Sequence, residues 1–193
     1  AFAANSVLNR MAVAGGTIGP TDFAAIRTVS GAVMLLALLL LSRRPPPFMA
    51  PGRVTGAMSL TVYMLGFSFA YLTLDTGLGA LVLFGMVQLT MFAGGLLRGE
   101  RIGALRWVGA AIALSGLAVL LWPTGATAPD PLGAVLMAAA GIGWGLYSLA
   151  GRGSRNPLDE TAANFTLAAP LTVAPLLLID DGSDAQPHGV LLA

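Results

Sequence analysis

The chain has 193 residues, of which 56% are hydrophobic and only 10% are charged, with a net charge of +1. Soluble domains carry about 25% charged residues, so this composition excludes an ordinary water-exposed globular surface. The near-zero net charge gives no basic field for nucleic acid, and the absence of cysteine excludes disulfides, thiolate metal sites and a cysteine nucleophile.

Apolar segments of about twenty residues follow one another along the chain, and this is the length that a helix needs to cross a bilayer. The runs are continuous rather than alternating, so they predict helices instead of barrel strands. In chain order the predicted spans are 1–14, 21–41, 54–74, 77–97, 103–122, 132–150 and 161–179, with an eighth starting near 188. Both ends of the chain fall inside apolar stretches, which predicts a fragment of a longer protein.

Basic residues occupy alternate gaps between the predicted spans. All 10 are arginines, and eight of them follow the second, fourth and sixth spans. These eight are Arg43, Arg44, Arg53, Arg98, Arg101, Arg106, Arg152 and Arg155. Because positively charged loops stay in the cytoplasm, this asymmetry predicts that the three gaps are cytoplasmic and that the protein lies in the cytoplasmic (inner) membrane.

Two stretches about 140 residues apart resemble each other. The pairs that match are Ala24 with Ala162, Ala25 with Ala163, and Thr28 with Thr166. The offset covers five predicted spans, and a repeat with an odd number of spans must insert in the opposite orientation. The sequence therefore predicts the inverted-repeat plan of many secondary transporters, whose substrate site lies between the repeats near the midplane.

Pairs of small residues four apart predict close contacts between helices. They are Gly109 with Ala113, Ala139 with Gly143, and Gly141 with Gly145. Pro170 and Pro175 predict a kink in the seventh span.

Three segments resemble, in order, spacing and orientation, the EamA-like family of the drug/metabolite transporter superfamily. They are TDFAAIRTVSGAVMLLALLL, the stretch from Leu65 to Pro123 with its GER turn at Gly99–Arg101, and GIGWGLYSLAGR. The resemblance implies an all-α integral membrane bundle of ten spans in two inverted five-span repeats. Residues 1–122 would be the first repeat and 131–193 part of the second, so that about seven spans are present. The first span departs from the family pattern, because the usual Trp-Gly either lies outside the chain or is replaced by Phe2–Asn5.

The resemblance implies a secondary carrier or exporter of small metabolites or drugs that works by alternating access, without a cofactor or a metal. No enzyme is expected and no residue is assigned as catalytic, since the sole histidine, His188, lies in no hydrolase or metal-site motif. Expected partners are a small-molecule substrate, the lipid bilayer and a second copy in a homodimer. The alternative function is a non-transporting membrane scaffold or a regulatory subunit.

Three residues are predicted to face one common cavity and to bind substrate: Asn5, Gln88 and Trp144. Gln88 lies near the centre of the fourth span, where an amide either lines a cavity or bonds to another helix. The resemblance implies that the first span faces the central cavity, which favours Asn5 as a lining residue. Trp144 and Tyr147 form either an aromatic wall for substrate or a packing contact.

The other candidates lie on the second, third and fourth spans. Tyr63 and Tyr71 are eight residues apart, so they share a helix face that lines the cavity or contacts another helix. Arg27 either attracts anionic substrates, pairs with an acid such as Asp22 at the outer gate, or anchors the outer end of the bundle. Glu100 of the GER turn is expected to clamp helix ends, because its interfacial position argues against a coupling role.

Overall fold

The computed structural model describes residues 2–100, 103–121, 129–178 and 187–193, and every regular element in these ranges is helical. This confirms the all-α prediction. The helices are α1 Phe2–Val13, α2 Pro20–Leu41, α3 Arg53–Ala70, α4 Thr76–Leu97, α5 Ala104–Leu121, α6 Pro131–Ala150, α7 Pro157–Val173 and α8 Pro187–Leu192, with a 3-10 helix at Ala174–Leu177.

Proline lies at the start of several helices and also interrupts α7. Pro20, Pro131 and Pro157 begin α2, α6 and α7, where the missing N–H costs no intrahelical bond. Within α7, Pro170 removes a backbone donor, and the α-helix gives way to the 3-10 turn after Val173. The predicted span 161–179 is thus an α-helix followed by a 3-10 turn, and its last residue lies outside the described ranges.

The GER turn ends α4 through a left-handed residue. Gly99 has a φ of +75°. Its N–H donates to the carbonyl oxygen of Leu96 at 2.9 Å, and the N–H of Glu100 donates to the carbonyl oxygen of Gly95 at 3.0 Å. This pair of bonds is a Schellman motif, in which glycine is favoured because it adopts positive φ without steric cost. The turn directs Glu100 back along the end of α4.

Three helices are long and apolar enough to cross a membrane, namely α2, α4 and α6. The predicted span at 54–74 is shorter in the structure, since α3 ends at Ala70 and Tyr71–Leu74 form a turn before α4. The assignment of α1, α3, α5 and α7 as spans stays a prediction.

Helix α6 packs between α3 and α4, and glycine makes both contacts close. A Cβ at Gly143 would lie 2.7 Å from the carbonyl oxygen of Ser59 on α3, and one at Gly141 would lie 2.8 Å from that of Leu83 on α4. The predicted close approach at these two glycines is therefore confirmed. Gly109 on α5 differs, because a Cβ there would meet nothing within 4 Å.

Helix α2 packs against α7, and α3 contacts both of them, so that α3 lies at the centre of the bundle. Its apolar face, including Leu60, Met64 and Phe67, belongs to the main buried cluster together with Met137 of α6 and Ala168 of α7. Helix α5 packs chiefly on α4 and keeps its described side chains largely exposed. The core of the described fold is thus built on α3 and α6, with α2, α4 and α7 packed around them.

Candidate functional site

Five aromatic side chains of α3 and α6 form a continuous row through the bundle, which we call the aromatic column. Ring centroids are 5.0 Å apart for Tyr71 and Phe67, 5.4 Å for Phe67 and Tyr63, 4.8 Å for Tyr63 and Trp144, and 5.4 Å for Trp144 and Tyr147. These separations lie in the range of favourable aromatic contacts. The column brings together four of the residues that the sequence predicted as substrate-binding.

Helical spacing explains the column. Tyr63 and Phe67 lie four residues apart on one face of α3, and Tyr71, the C-cap residue of this helix, continues the same spacing, so the three rings are in line. Trp144 and Tyr147 are three apart on α6, and Gly143 lets the backbones approach so that Trp144 reaches Tyr63. Sequence reasoning missed Phe67, although its spacing from the two tyrosines was a usable signal.

Helix α1 adds polar groups beside the column. The amide Nδ2 of Asn5 donates a hydrogen bond to the hydroxyl of Tyr63 at 3.2 Å. One turn later Asn9 is fully buried, and neither of its amide atoms has a hydrogen-bond partner among the described residues. Asn9 was not predicted, and the signal was its position four residues after Asn5 on the same helix face.

Arg27 of α2 reaches the same region. Its guanidinium lies 5.5 Å from the ring centroid of Phe23 and 5.7 Å from that of Phe67, which are cation–π distances. Its Nη1 is buried and has no hydrogen-bond partner within the part of the chain that the structure describes. The guanidinium therefore points into the bundle beside the aromatic column.

One end of the column lies beside a charged cluster. Arg10 of α1 donates to the backbone carbonyls of Leu74 and Tyr71, and its Nη2 lies 3.1 Å from Oδ1 of Asp75. Nearby, the hydroxyl of Thr73 donates to Asp130 at 2.9 Å. These bonds tie α1 and the start of α6 to the turn between α3 and α4.

The opposite end of the column opens on a small polar cavity. The hydroxyl of Tyr147 lies 3.5 Å from that of Thr161, and both line a cavity of about 210 Å³ with Glu160 and Asn164. The column therefore runs from the Arg10–Asp75 cluster to this cavity, at opposite ends of the bundle.

A buried arginine closes the wall behind this cavity. Arg53, only 7% exposed, pairs with Glu160 at 2.7 Å and donates to the Oδ1 of Asn164 at 3.3 Å and to the Glu160 carbonyl at 3.2 Å. Glu160 precedes the predicted span at 161, and the hydrogen bond from Arg53 holds the pKa of its carboxyl below the ordinary value. Because Gly56 has no side chain, Asn164 packs directly on the backbone of α3. Sequence reasoning treated Arg53 only as a loop charge and missed this contact.

Gln88 lies apart from the column. It is exposed and lines a separate groove of about 460 Å³ between α4 and α5, together with Glu100 and Arg152. On α4, Met86 and Thr90 face α6, and Gln88 is two residues from each, so it points away from α6. The expected common cavity of Asn5, Gln88 and Trp144 is therefore not formed, since only Asn5 and Trp144 meet the column, through Tyr63.

The predicted clamp at Glu100 is present. Its Oε1 lies 3.2 Å from Nη1 of Arg152, and Arg98 donates to the carbonyl of Leu149 at 3.1 Å. Both bonds join the end of α4 to the end of α6. This ion pair is half-exposed and contributes roughly 0–1 kcal/mol, so its role is to fix geometry more than to add stability.

The column offers ring faces, hydroxyls and amides, which suits reversible binding of a small molecule better than covalent chemistry. Among the residues in the described ranges, no group of three His, Asp or Glu side chains is arranged to hold a metal. The assignment of these residues to substrate binding stays a prediction.

Comparisons with known proteins identify the family of the chain. The model of the EamA-like transporter family matches residues 1–122, and the chain belongs to this family, within the drug/metabolite transporter superfamily. It is a multi-pass membrane protein of a transporter family. The chain is 50% identical, over all of its 193 residues, to an uncharacterized protein of Pseudomonas aeruginosa, PA1977, and it spans 66% of that relative's length. No solved structure matches the chain.

Proposed function

We propose that this protein is a secondary carrier that moves small metabolites or drugs across the cytoplasmic membrane by alternating access. The observation that carries the proposal is the aromatic column, which connects a charged cluster at one end of the bundle with a polar cavity at the other. A scaffold can bury the same rings as packing, so the two functions differ in whether the loss of one ring lowers efflux.

The helix contacts support an inverted repeat in which α1, α2 and α3 correspond to α6, α7 and α8. Under this correspondence, the contact between α3 and α6 is equivalent to the contact between α8 and α1. Likewise, the contact between α3 and α7 is equivalent to the contact between α8 and α2. All four contacts occur. Helices α2 and α7 also contact each other, as two equivalent elements beside a pseudo-twofold axis would.

The two middle helices of the proposed repeats share a local bond. The hydroxyl of Thr28 donates to the carbonyl of Ala24 at 2.8 Å, and that of Thr166 donates to the carbonyl of Ala162 at 2.7 Å. These are the residues that the internal alignment pairs. The same bond also occurs at Thr61, Ser68, Thr90 and Ser148, so the support for residues 131–193 as part of a second repeat comes from the helix contacts.

Alternating access needs a closure at each end of the pathway. The outer candidate is the Arg10–Asp75 cluster, and the inner candidate is the Arg53–Glu160 pair, which joins α3 to α7. Helix α7 carries Glu160, contains Pro170 and changes to a 3-10 turn after Val173, and we propose that it bends there when the inner closure opens. We propose that substrate passes when one closure opens while the other holds.

The experiment is an efflux assay over a compound panel, comparing cells that produce the wild type, Tyr63→Ala or Trp144→Ala. Each variant removes a ring from the column, so we expect efflux of responsive compounds to fall roughly three- to tenfold, as the loss of one aromatic contact implies. Trp107→Ala is the matched control, because Trp107 lies on α5 and packs on Phe92 away from the column.

Membrane levels of each variant are measured in parallel so that poor insertion is not counted as lost transport. Unchanged efflux by both column variants, at equal membrane levels, would contradict the proposed pathway. An equal loss with Trp107→Ala would also contradict it.

A further inference from the structure

Arg27 is bound differently from the other partly buried arginines of the described chain. Arg53 has a carboxylate and two oxygen acceptors, although its Nε is buried without one, and Arg10 has a carboxylate and two backbone carbonyls. Arg27 contacts the faces of two aromatic rings, while its Nη1 is buried without an acceptor. A buried cationic donor without an acceptor is costly, so an oxygen-rich group is expected to occupy this position for part of the working cycle.

Asn9 lies at the same level of the bundle. Along α1, Asn5 contacts Tyr63 and Arg10 contacts the carbonyls of Tyr71 and Leu74, so α1 and α3 run in the same direction. Asn9 lies between these two contacts and is thus level with the segment of α3 that follows Phe67, the ring beneath the Arg27 guanidinium. A second buried polar group without a partner therefore lies within about one helical turn of the Arg27 guanidinium along the bundle axis.

The chemistry of the two side chains points to one kind of ligand. A guanidinium presents N–H donors in a fork that fits a carboxylate or a phosphate, and the Asn9 amide adds two more N–H donors. The neighbouring faces of Phe67 and Tyr63 suit a flat apolar group joined to that anion. Nothing among these four side chains offers a carboxylate to a cationic substrate.

We propose that Arg27 and Asn9 bind the anionic group of the transported molecule, so that the substrates are small organic anions with a planar apolar part. This inference rests on the proposed transport function and specifies its substrate class. Arg27 thus discriminates an acid from its neutral amide, whereas the aromatic column binds the apolar part of both.

The first test is the thermal stability of the intact protein in detergent without ligand. Arg27→Met keeps the side-chain length and removes an unsatisfied charge, so we expect the unfolding temperature to stay within about 1 °C of wild type or to rise. Arg53→Met is the matched control and should lower it by roughly 2–4 °C or more, since it leaves Glu160 without its partner. A fall with Arg27→Met as large as that with Arg53→Met would make Arg27 a structural anchor and overturn the proposal.

The second test measures binding with matched neutral and anionic probes. Phenylacetate, phenyl phosphate and phenylacetamide are added separately at millimolar concentration, and the shift in unfolding temperature is recorded. We expect at least one anion, but not the amide, to stabilise the wild type, and the shift to disappear in Arg27→Met and to shrink in Asn9→Ala. The absence of any anion-specific shift in the wild type, or an unchanged shift in Arg27→Met, would overturn the proposal.

Transport of the same probes separates this inference from the function on which it rests. If Arg27→Met lowers efflux of the acids roughly tenfold or more and leaves efflux of the amide unchanged, the result supports both the transport function and the anion site. If the wild type and Arg27→Met export the acids and the amide equally, the result overturns the anion site but not the transport function. Anion-specific binding without any efflux supports the site and counts against the transport function.

Discussion

Arg53 makes the most consequential single contact at the scale of one residue. It lies in the first turn of α3, where a basic residue gains nothing from the helix dipole, and yet it is almost fully buried. Its stabilisation comes from α7, which supplies three oxygen acceptors: the carboxylate of Glu160, the backbone carbonyl of Glu160 and the side-chain oxygen of Asn164. The contact joins helices that are more than one hundred residues apart in the chain.

Removing Arg53 should destabilise the protein, because Glu160 and Asn164 then lose their hydrogen-bond donor. Arg53→Met is expected to lower the free energy of unfolding by about 1.5–3 kcal/mol, the range for hydrogen bonds to charged groups. Arg44→Met is the control, because Arg44 is exposed in the loop after α2. The check is thermal or denaturant unfolding of the purified protein, and equal stability of the two variants would contradict the role given to Arg53.

The same pair predicts how stability depends on pH. The pKa of Glu160 is lowered in the folded protein by the Arg53 hydrogen bond, so this stabilisation is fully present above the ordinary glutamate pKa of about 4.3. It is lost as the pH falls below that value through the lowered pKa. Glu160→Gln should therefore flatten the acid limb of stability against pH, which unfolding series between pH 7 and pH 3 would detect.

At the scale of elements, α6 is the helix whose composition fits its position most closely. Gly141 and Gly143 point to opposite neighbours, so one helix approaches both α3 and α4 at short range. This double approach also lets Trp144 reach the column between them. The small residues are thus a condition for the site as well as for packing.

A methyl group added at these glycines should separate the helices. Gly143→Ala and Gly141→Ala are each expected to cost about 1–3 kcal/mol, because the added Cβ meets backbone oxygens that cannot move aside cheaply. Gly109→Ala on α5 is the matched control and should be neutral or stabilising by up to about 1 kcal/mol. Unfolding measurements on the three variants check this, and a loss at Gly109 equal to that at Gly143 would argue against it.

At the scale of the whole molecule, the ion pairs separate to the two ends of the bundle. Arg10–Asp75 lies at one end, and both Arg53–Glu160 and Glu100–Arg152 lie at the other. The second end is the one that the arginine-rich loops assign to the cytoplasm. Which end faces the cytoplasm stays a prediction from the arginine-rich loops.

The absence of cysteine makes this orientation easy to test. Single cysteines at Ser42 and Arg155 should be shielded from a membrane-impermeant thiol reagent in intact cells and should react in inverted vesicles. Leu72→Cys, exposed in the turn between α3 and α4, should show the reverse pattern. Labelling of all three from one side would contradict the predicted topology.

The sequence by itself determined the helical class, the order of the helices and the family, because apolar length, proline and glycine positions act locally. It also identified the shared face of Tyr63 and Tyr71, since helical periodicity alone fixes that. Only the tertiary structure decided which helix each face meets, as the separation of Gln88 from Asn5 and Trp144 illustrates. Arg53 entered the site because its partners lie on α7, more than one hundred residues away, and no local pattern encodes that contact. Phe67 and Asn9 carry a local signal in their four-residue spacing from Tyr63 and Asn5, but only the tertiary structure shows what surrounds them.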